Sequence, residues 1–340
     1  MKKARKFSWF VLILLLIVTG CTKITEAPPH QPQQEQVIKA VWLTHVGNAF
    51  YTYTGRLDDV LHQISRLNFN RVYVGVYNNG VTYPTRVSYR NRETNIPWFN
   101  PLNAAINLGK RQGLKIYAWY EYGLMLSPRD VLAQKHPDWL LAAGKVVNNC
   151  VWLDPSNPEV QQYFQNLFTE VAYLYPKLVG IQLDDHWSVP REFGDYSNQL
   201  TQLTAQVAAT IKKIHPDWII SVSPNPPSFA YQQYNQNWLN WVYQGYANEV
   251  VVQIYRPTTE AVNQTLPSSG LFEASQYVPV AAGIYTGFSG RGLDIKSLGE
   301  VKQQVQAVQN QGYGYSLFTY EYTFGFLRLA KAKTKESFFR

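Results

Sequence analysis

From Val37 onward, short runs of β-branched and aromatic residues alternate with stretches of helical period, and this alternation limits the chain to very few folds. The strand-like runs are Ile38–His45, Arg71–Tyr77, Leu114–Glu121, Leu178–Asp184, Trp218–Ser223, Glu249–Tyr255, Val278–Tyr285 and Gly314–Tyr320. Between them, apolar residues recur every three or four positions. Leu57, Val60, Leu61, Ile64 and Leu67 share one helical face, as do Val160, Phe164, Leu167, Phe168 and Val171. Leu200, Leu203, Val207, Ile211 and Ile214 form a third set, and Leu298, Val301, Val305 and Val308 a fourth. Ser156-Asn157-Pro158-Glu159 reads as a helix start, with a capping side chain, proline in the first turn and an acid beside it. Eight strands, each followed by a helix or loop, predict an α/β chain folded as a (β/α)8 TIM barrel. An open doubly wound sheet is the alternative, but no glycine-rich phosphate loop follows any strand. The longest excursion, Met125–Asn157, follows strand three and so decorates the C-terminal face of a barrel.

Upstream of the barrel the sequence changes character. Lys2, Lys3, Arg5 and Lys6 precede an apolar run from Phe7 to Val18, followed by Val18-Thr19-Gly20-Cys21. That is a signal peptide's order: basic, apolar, then small residues at a cleavage site. The run falls short of the roughly 20 residues a spanning helix needs, although an uncleaved N-terminal anchor is the alternative. Val-Thr-Gly-Cys resembles the lipobox of bacterial lipoproteins, in which the cysteine is diacylated and becomes the first residue. Each buried CH₂ then adds roughly 0.8 kcal/mol of membrane affinity. The expected organisation is a signal peptide over 1–20 and a lipidated Cys21 with a Pro- and Gln-rich tether over 21–36. The barrel follows over 37–330, and a basic tail over 331–340.

The leader also accounts for much of the charge. The chain has 31 Lys+Arg and 23 Asp+Glu, and without residues 1–20 the balance is +4. Lys331, Lys333, Lys335 and Arg340 lie in the tail, so no basic stripe argues for nucleic acid. Cys150 is the only cysteine besides Cys21, so the mature chain has no intrachain disulfide and depends on a large core.

A TIM barrel places its chemistry at the C-terminal ends of its strands. Strand four ends Gln182-Leu-Asp184-Asp185-His186-Trp187. Alternation puts Val179, Ile181 and Leu183 toward the helices and Gln182, Asp184 and His186 toward the mouth. Asp185 falls at the start of the loop. Both aspartates suit catalysis, or alternatively a helix cap or a pair with Arg191. Strand three ends Trp119-Tyr-Glu121 and strand eight Tyr320-Glu321, each a glutamate among aromatic residues. Glycoside hydrolysis needs two carboxyl groups, and a dry aromatic setting raises a glutamate's pKa as a general acid requires. A structural hydrogen-bonding role is equally open to either glutamate. Strand six directs Gln253 and Tyr255 inward, with Arg256 following, and Asn225 follows strand five. Amides and phenols there suit sugar hydroxyls or an ordinary polar plug. His30, His45, His62, His136, His186 and His215 are scattered, so no metal site or cofactor is expected. No G-x-S-x-G supports a serine hydrolase.

VGIQLDDHW at strand four, Gln-x-Tyr-Arg at strand six, AVWLTHV at strand one, LDPSNPEV before a helix and GYSLFTYE at strand eight together resemble glycosyl-hydrolase-like family ten. The resemblance spans about residues 37–325. It implies a bacterial (β/α)8 protein, often a lipoprotein, that hydrolyses polysaccharide with carboxylates around Asp184 and Asp185. Some relatives digest peptidoglycan glycan strands already stripped of peptides. The sequence departs from the family at Val179, where many relatives carry an acid, and around Glu121, where many carry an Asn-Pro sequence.

The expectation is an envelope glycoside hydrolase, monomeric and lipid-anchored, facing the periplasm or the exterior, with no nucleic-acid partner. Asp184 or Asp185 would be nucleophile or base, Glu121 the acid and Glu321 its reserve. Trp42, Trp119, Trp187, Tyr255 and Tyr320 would line the groove. His45, Tyr77, Gln182, His186, Asn225, Gln253 and Arg256 would contact substrate. A hydrolase of another glucan and a non-catalytic glycan-binding barrel are the alternatives.

Overall fold

The computed structural model describes residues 37–78, 80–87, 100–288 and 295–328. The proposed leader, Cys21, the tether and the basic tail lie outside the described residues. From Val37 the chain forms a compact unit of its own. Its described core begins at Ile38. Eight parallel strands close into a barrel: Lys39–Leu43 (β1), Arg71–Gly75 (β2), Lys115–Tyr122 (β3), Gly180–His186 (β4), Ile219–Ser223 (β5), Glu249–Gln253 (β6), Val280–Tyr285 (β7) and Gly314–Phe318 (β8). Each expected strand is present. β8 pairs with β1, with Ala40 opposite Ser316, which completes the ring. All four expected helical faces turn inward, on helices Leu57–Arg66, Pro158–Leu174, Ser197–Ile214 and Leu298–Asn310. The helix at Pro158 starts as its residues dictate, with the Asn157 side chain accepting the Glu159 amide.

Two apolar layers result. The larger, between strands and helices, contains Val41, Val72, Ile181, Leu183 and Val252 among others. The smaller fills the barrel with Ala40, Trp42, Tyr73, Tyr117, Trp119 and Val251. Val179 packs against this inner cluster rather than against the helices. It precedes the first residue of β4, where strand alternation does not yet hold.

The floor of the barrel is an ion pair. Arg71 Nε lies 3.0 Å from Glu249 Oε2, and both side chains are sealed from solvent. Tyr73 and Tyr117 donate to the same carboxylate at 2.6 and 3.2 Å. Desolvating two charges is costly, and the phenols recover part of that cost by saturating the acceptor. The N-terminal end is therefore plugged, leaving the C-terminal mouth for chemistry.

The excursion after β3 carries a two-stranded antiparallel pair, Met125–Leu126 with Val151–Trp152. Asn148 Nδ2 reaches the Tyr234 hydroxyl on helix Pro227–Tyr234 at 3.3 Å, so the excursion builds one wall of the rim.

Candidate active site

The ends of β3 and β4 form the site, and a local irregularity shapes it. Tyr120 pairs with Leu183 and Tyr122 with His186, so Asp184 and Asp185 together face the single residue Glu121. Two residues opposite one define a β-bulge, which breaks alternation and re-aims side chains. Gln236 spans the irregular stretch, its buried Nε2 donating to Asp184 O at 3.2 Å and Trp187 O at 3.1 Å. Nothing in the sequence around Gln236 announces this role.

Asp184 is only 4% exposed. Its Oδ1 accepts from Ser223 Oγ at 2.6 Å and Gln253 Nε2 at 2.7 Å. Burial pushes its carboxyl well above the usual range. The charge of Asp185, and more weakly that of Glu121, pushes the same way, while the Ser223 hydrogen bond opposes them. Asp185 is more open, with Asn225 Nδ2 donating to its Oδ2 at 3.0 Å and His186 Nδ1 3.4 Å from its Oδ1. His186 Nδ1 also lies 3.1 Å from the Glu121 carbonyl, which ties the two strand ends together. Glu121 is half-buried and accepts from Asn78.

Tyr255 completes the cluster. Its hydroxyl is buried with no hydrogen-bond partner among the described residues. Burial holds its pKa well above 10, and the charges of Asp184, Asp185 and Glu121 add to that. Its ring packs on Phe318 at 5.4 Å and on Tyr285 at 5.7 Å. Trp42 and Trp119 flank Phe318 from the other side at 5.7 and 5.9 Å. Phe318 and Tyr285, both half-buried, are thus the central aromatic pair of the mouth, and neither is among the groove residues expected from the sequence.

The expected substrate-facing residues divide into those the mouth contains and those it does not. Asp184, Asp185, Glu121, His186, Asn225, Gln253 and Tyr255 converge. Trp42, Trp119 and Gln182 face inward but lie beneath the mouth as its sealed floor, with Trp42 Nε1 donating to Gln182 Oε1 at 2.7 Å. Trp187 turns outward, because β4 has ended, and packs on Phe164 and Phe168 while donating to Thr204 Oγ1 at 2.9 Å. Tyr77 lies past the end of β2, where the chain bends back to bridge Val81, so its ring meets Tyr120 and its hydroxyl Tyr163 in the outer layer. Tyr320 begins a short helix instead of ending β8, and its hydroxyl donates to Gln63 at 2.6 Å.

Glu321 follows Tyr320 into that helix, 2% exposed, and its Oε1 accepts from Thr44 N at 3.0 Å and Thr44 Oγ1 at 2.7 Å. It braces the end of β1 rather than facing substrate. Likewise β1 stops at Leu43 because Thr44 caps the next helix, accepting from Gly47 N, and His45 enters its first turn as a nearly buried residue. Arg256 is turned away, with Nε on Thr265 Oγ1 at 2.9 Å and a terminal nitrogen 3.2 Å from the Tyr255 carbonyl.

As a possible cation site, Asp184, Asp185 and His186 can bring one ligand atom each within 4.8 Å of one another. The protein's own groups already engage these side chains, and the resulting arrangement suits proton transfer: a neutral-leaning carboxyl beside an open one.

Residues 37–200 and 195–305 match the model of the family glycosyl hydrolase-like 10. The chain is 26% identical over 313 residues to the glycosyl hydrolase DigH of Escherichia coli strain K12, covering 68% of each protein. It is 24% identical over 267 residues to the glycosyl hydrolase YngK of Bacillus subtilis strain 168, covering 63% of this chain and 50% of that one. Among solved structures, the GH36 α-galactosidase AgaA of Geobacillus stearothermophilus aligns with a TM-score of 0.57 at 11% identity. That alignment covers 90% of this chain but only 41% of the galactosidase. The endo-1,4-β-D-mannanase of Thermotoga petrophila aligns with a TM-score of 0.56 at 12% identity, covering 84% of this chain and 88% of that one. Likeness at this level of identity concerns the barrel fold.

Proposed function

The chain belongs to glycosyl hydrolase-like family 10, and from that premise we propose that it is an envelope-anchored glycoside hydrolase acting on peptide-free peptidoglycan strands. The observation that carries the catalytic reading is the bulge in β4, which sets a buried carboxyl, its pKa pushed up by burial, beside a more open one at the mouth. Asp184 is the acid that protonates the leaving glycosidic oxygen. Asp185 is the carboxylate that attacks the anomeric carbon as the glycosidic C–O bond breaks. Water then cleaves the glycosyl–Asp185 ester, and Asp184 takes up its proton. Glu121, first expected as the acid, instead orients substrate from the rim, because burial favours the neutral form at Asp184.

Tyr255 and the Phe318–Tyr285 pair suit a pyranose, whose C–H face packs on rings while its hydroxyls accept from phenols. The anchor rests on the leader pattern ending at Cys21. A leash of at most roughly 50 Å, at about 3.4 Å per residue, confines the enzyme to polymer near its membrane, which favours wall glycan.

The test incubates the barrel unit with amidase-treated sacculi, with intact sacculi and with neutral glucans, followed by mass spectrometry of the products. Soluble saccharides from the stripped strands alone are expected. Release from a neutral glucan instead would overturn the substrate, and absence of products from every polymer would overturn the enzymatic reading.

A further inference from the structure

The face of the barrel opposite the mouth carries aromatic side chains that no core or site uses. Tyr173 and Leu174 end the helix leading into β4, Tyr243 ends the helix leading into β6, and Phe272 and Tyr277 lie in and just after the helix leading into β7. These five are between 47% and 69% exposed. Tyr243 and Tyr277 pack ring to ring at 5.0 Å across neighbouring connections. Exposed cations stand on the same face: Arg66, Lys110, Lys177 and Lys213, each at or just beyond the end of a helix entering a strand. Asp217 and Glu273 are exposed acids among them. Cations at helix C-termini also offset the helix dipole, which is a sufficient reason for some of them. That reason does not extend to large aromatic residues held in water beside them.

The chain enters the barrel at this face, since Val37, itself half exposed, precedes β1. Residues 1–36 are thus joined to the barrel on its aromatic and basic face. Tyrosine is the residue type that settles where hydrocarbon gives way to headgroups, and surface lysines are drawn to anionic lipid. We propose that this N-terminal face is a membrane-docking surface for anionic phospholipid. It would rest on the headgroups and hold the catalytic mouth outward, toward the wall. The orientation rests on the anchored reading above, whereas the affinity of the face for lipid does not.

The test uses residues 22–340, which lack the leader and Cys21 but retain the whole barrel unit. Sedimentation with phosphatidylglycerol vesicles is compared with phosphatidylcholine vesicles at low and high salt. Binding to phosphatidylglycerol that weakens with salt is expected. The triple variant Tyr243→Ser, Phe272→Ser, Tyr277→Ser should lose at least about tenfold in apparent affinity while keeping its circular dichroism spectrum. Lys177→Glu with Lys213→Glu gives an independent reading and should also lose at least about tenfold, since each exchange turns an attraction to anionic headgroups into a repulsion. No sedimentation with phosphatidylglycerol, or equal binding by wild type and the lysine variant, would overturn the proposal. Acylation is read separately from the mass of the processed full chain, so an unlipidated Cys21 would remove the anchor without deciding the lipid affinity of the face.

Discussion

Replacing Asp184 with Asn should nearly abolish hydrolysis and yet stabilise the protein at neutral pH. The rate effect follows from losing a positioned proton donor, which costs about 10²–10⁴-fold. The stability effect follows from linkage. The folded-state pKa of Asp184 is raised well above 3.8 by burial and by Asp185, so the native state binds the proton more tightly than the unfolded chain does. Stability therefore falls as pH rises from about 4 toward the raised value, by about 1.4 kcal/mol per unit. An asparagine carries no such penalty, and its carbonyl oxygen can still accept from both Ser223 and Gln253. The variant should thus match wild type near pH 4 and melt progressively higher at pH 6 and 7. For a chain of this size each kcal/mol is worth a shift of about 2–4 °C. Thermal melts at several pH values, with product release from stripped glycan strands measured in parallel, give both readouts. Wild-type turnover would refute the catalytic assignment. A melting point depressed equally at pH 4 and pH 7 would refute the electrostatic one.

The remaining expectations follow from the same geometry. Ser223→Ala removes a hydrogen bond that holds the Asp184 pKa down, so the alkaline limb of the pH–rate profile should move upward, at about 1–2 kcal/mol of stability lost with a buried hydrogen bond. Tyr255→Phe deletes a hydroxyl that has no hydrogen-bond partner among the described residues, so melting should change by less than about 1 kcal/mol, while kcat/KM falls by at least about tenfold. Trp187→Ala should cost about 3–5 kcal/mol, because the indole fills the layer between β4 and two helices, but leave KM of the folded fraction unchanged. Because the proposed route passes through a glycosyl–Asp185 ester, proton NMR of the first-formed product should show retained anomeric configuration, and inversion would refute that route.

The strands were legible because a barrel strand must satisfy two faces at once, and that demand writes β-branched and aromatic residues in runs of five to eight. The helices were legible because only one face of each is buried. What failed was the extension of strand alternation beyond the last ladder hydrogen bond. Tyr77, Trp187 and Tyr320 each fall one or two residues past a strand end, where the chain has already turned outward. His45 and Glu321 failed for a related reason: capping at Thr44 and a helical turn at Tyr320 take over as soon as the sheet releases the backbone. Aromatic content alone did not separate the sealed floor, formed by Trp42 and Trp119, from the open ring pair of Phe318 and Tyr285. That difference depends on height along the barrel axis, which is set by register between strands distant in sequence.

The bulge explains how two chemically identical neighbours can take different roles. On an uninterrupted strand, Asp184 and Asp185 would point to opposite faces, and one would be spent among the helices. With an extra residue in β4, both are kept at the end of the barrel opposite Glu121, at different depths. The deeper one meets Ser223 and Gln253 on the next strands inward, and the shallower one meets Asn225 and solvent. Depth then does the electrostatic work, because the charge on the open carboxylate raises the proton affinity of the buried one. Gln236 sustains the arrangement by bridging the Trp187 carbonyl and the Asp184 carbonyl, the latter also accepting from Trp187 N at 3.0 Å. It follows that Gln236 should matter to the rate through geometry alone. Gln236→Ala would let the bulge relax, bring the two carboxyl environments closer together, and flatten the pH dependence that separates acid from nucleophile.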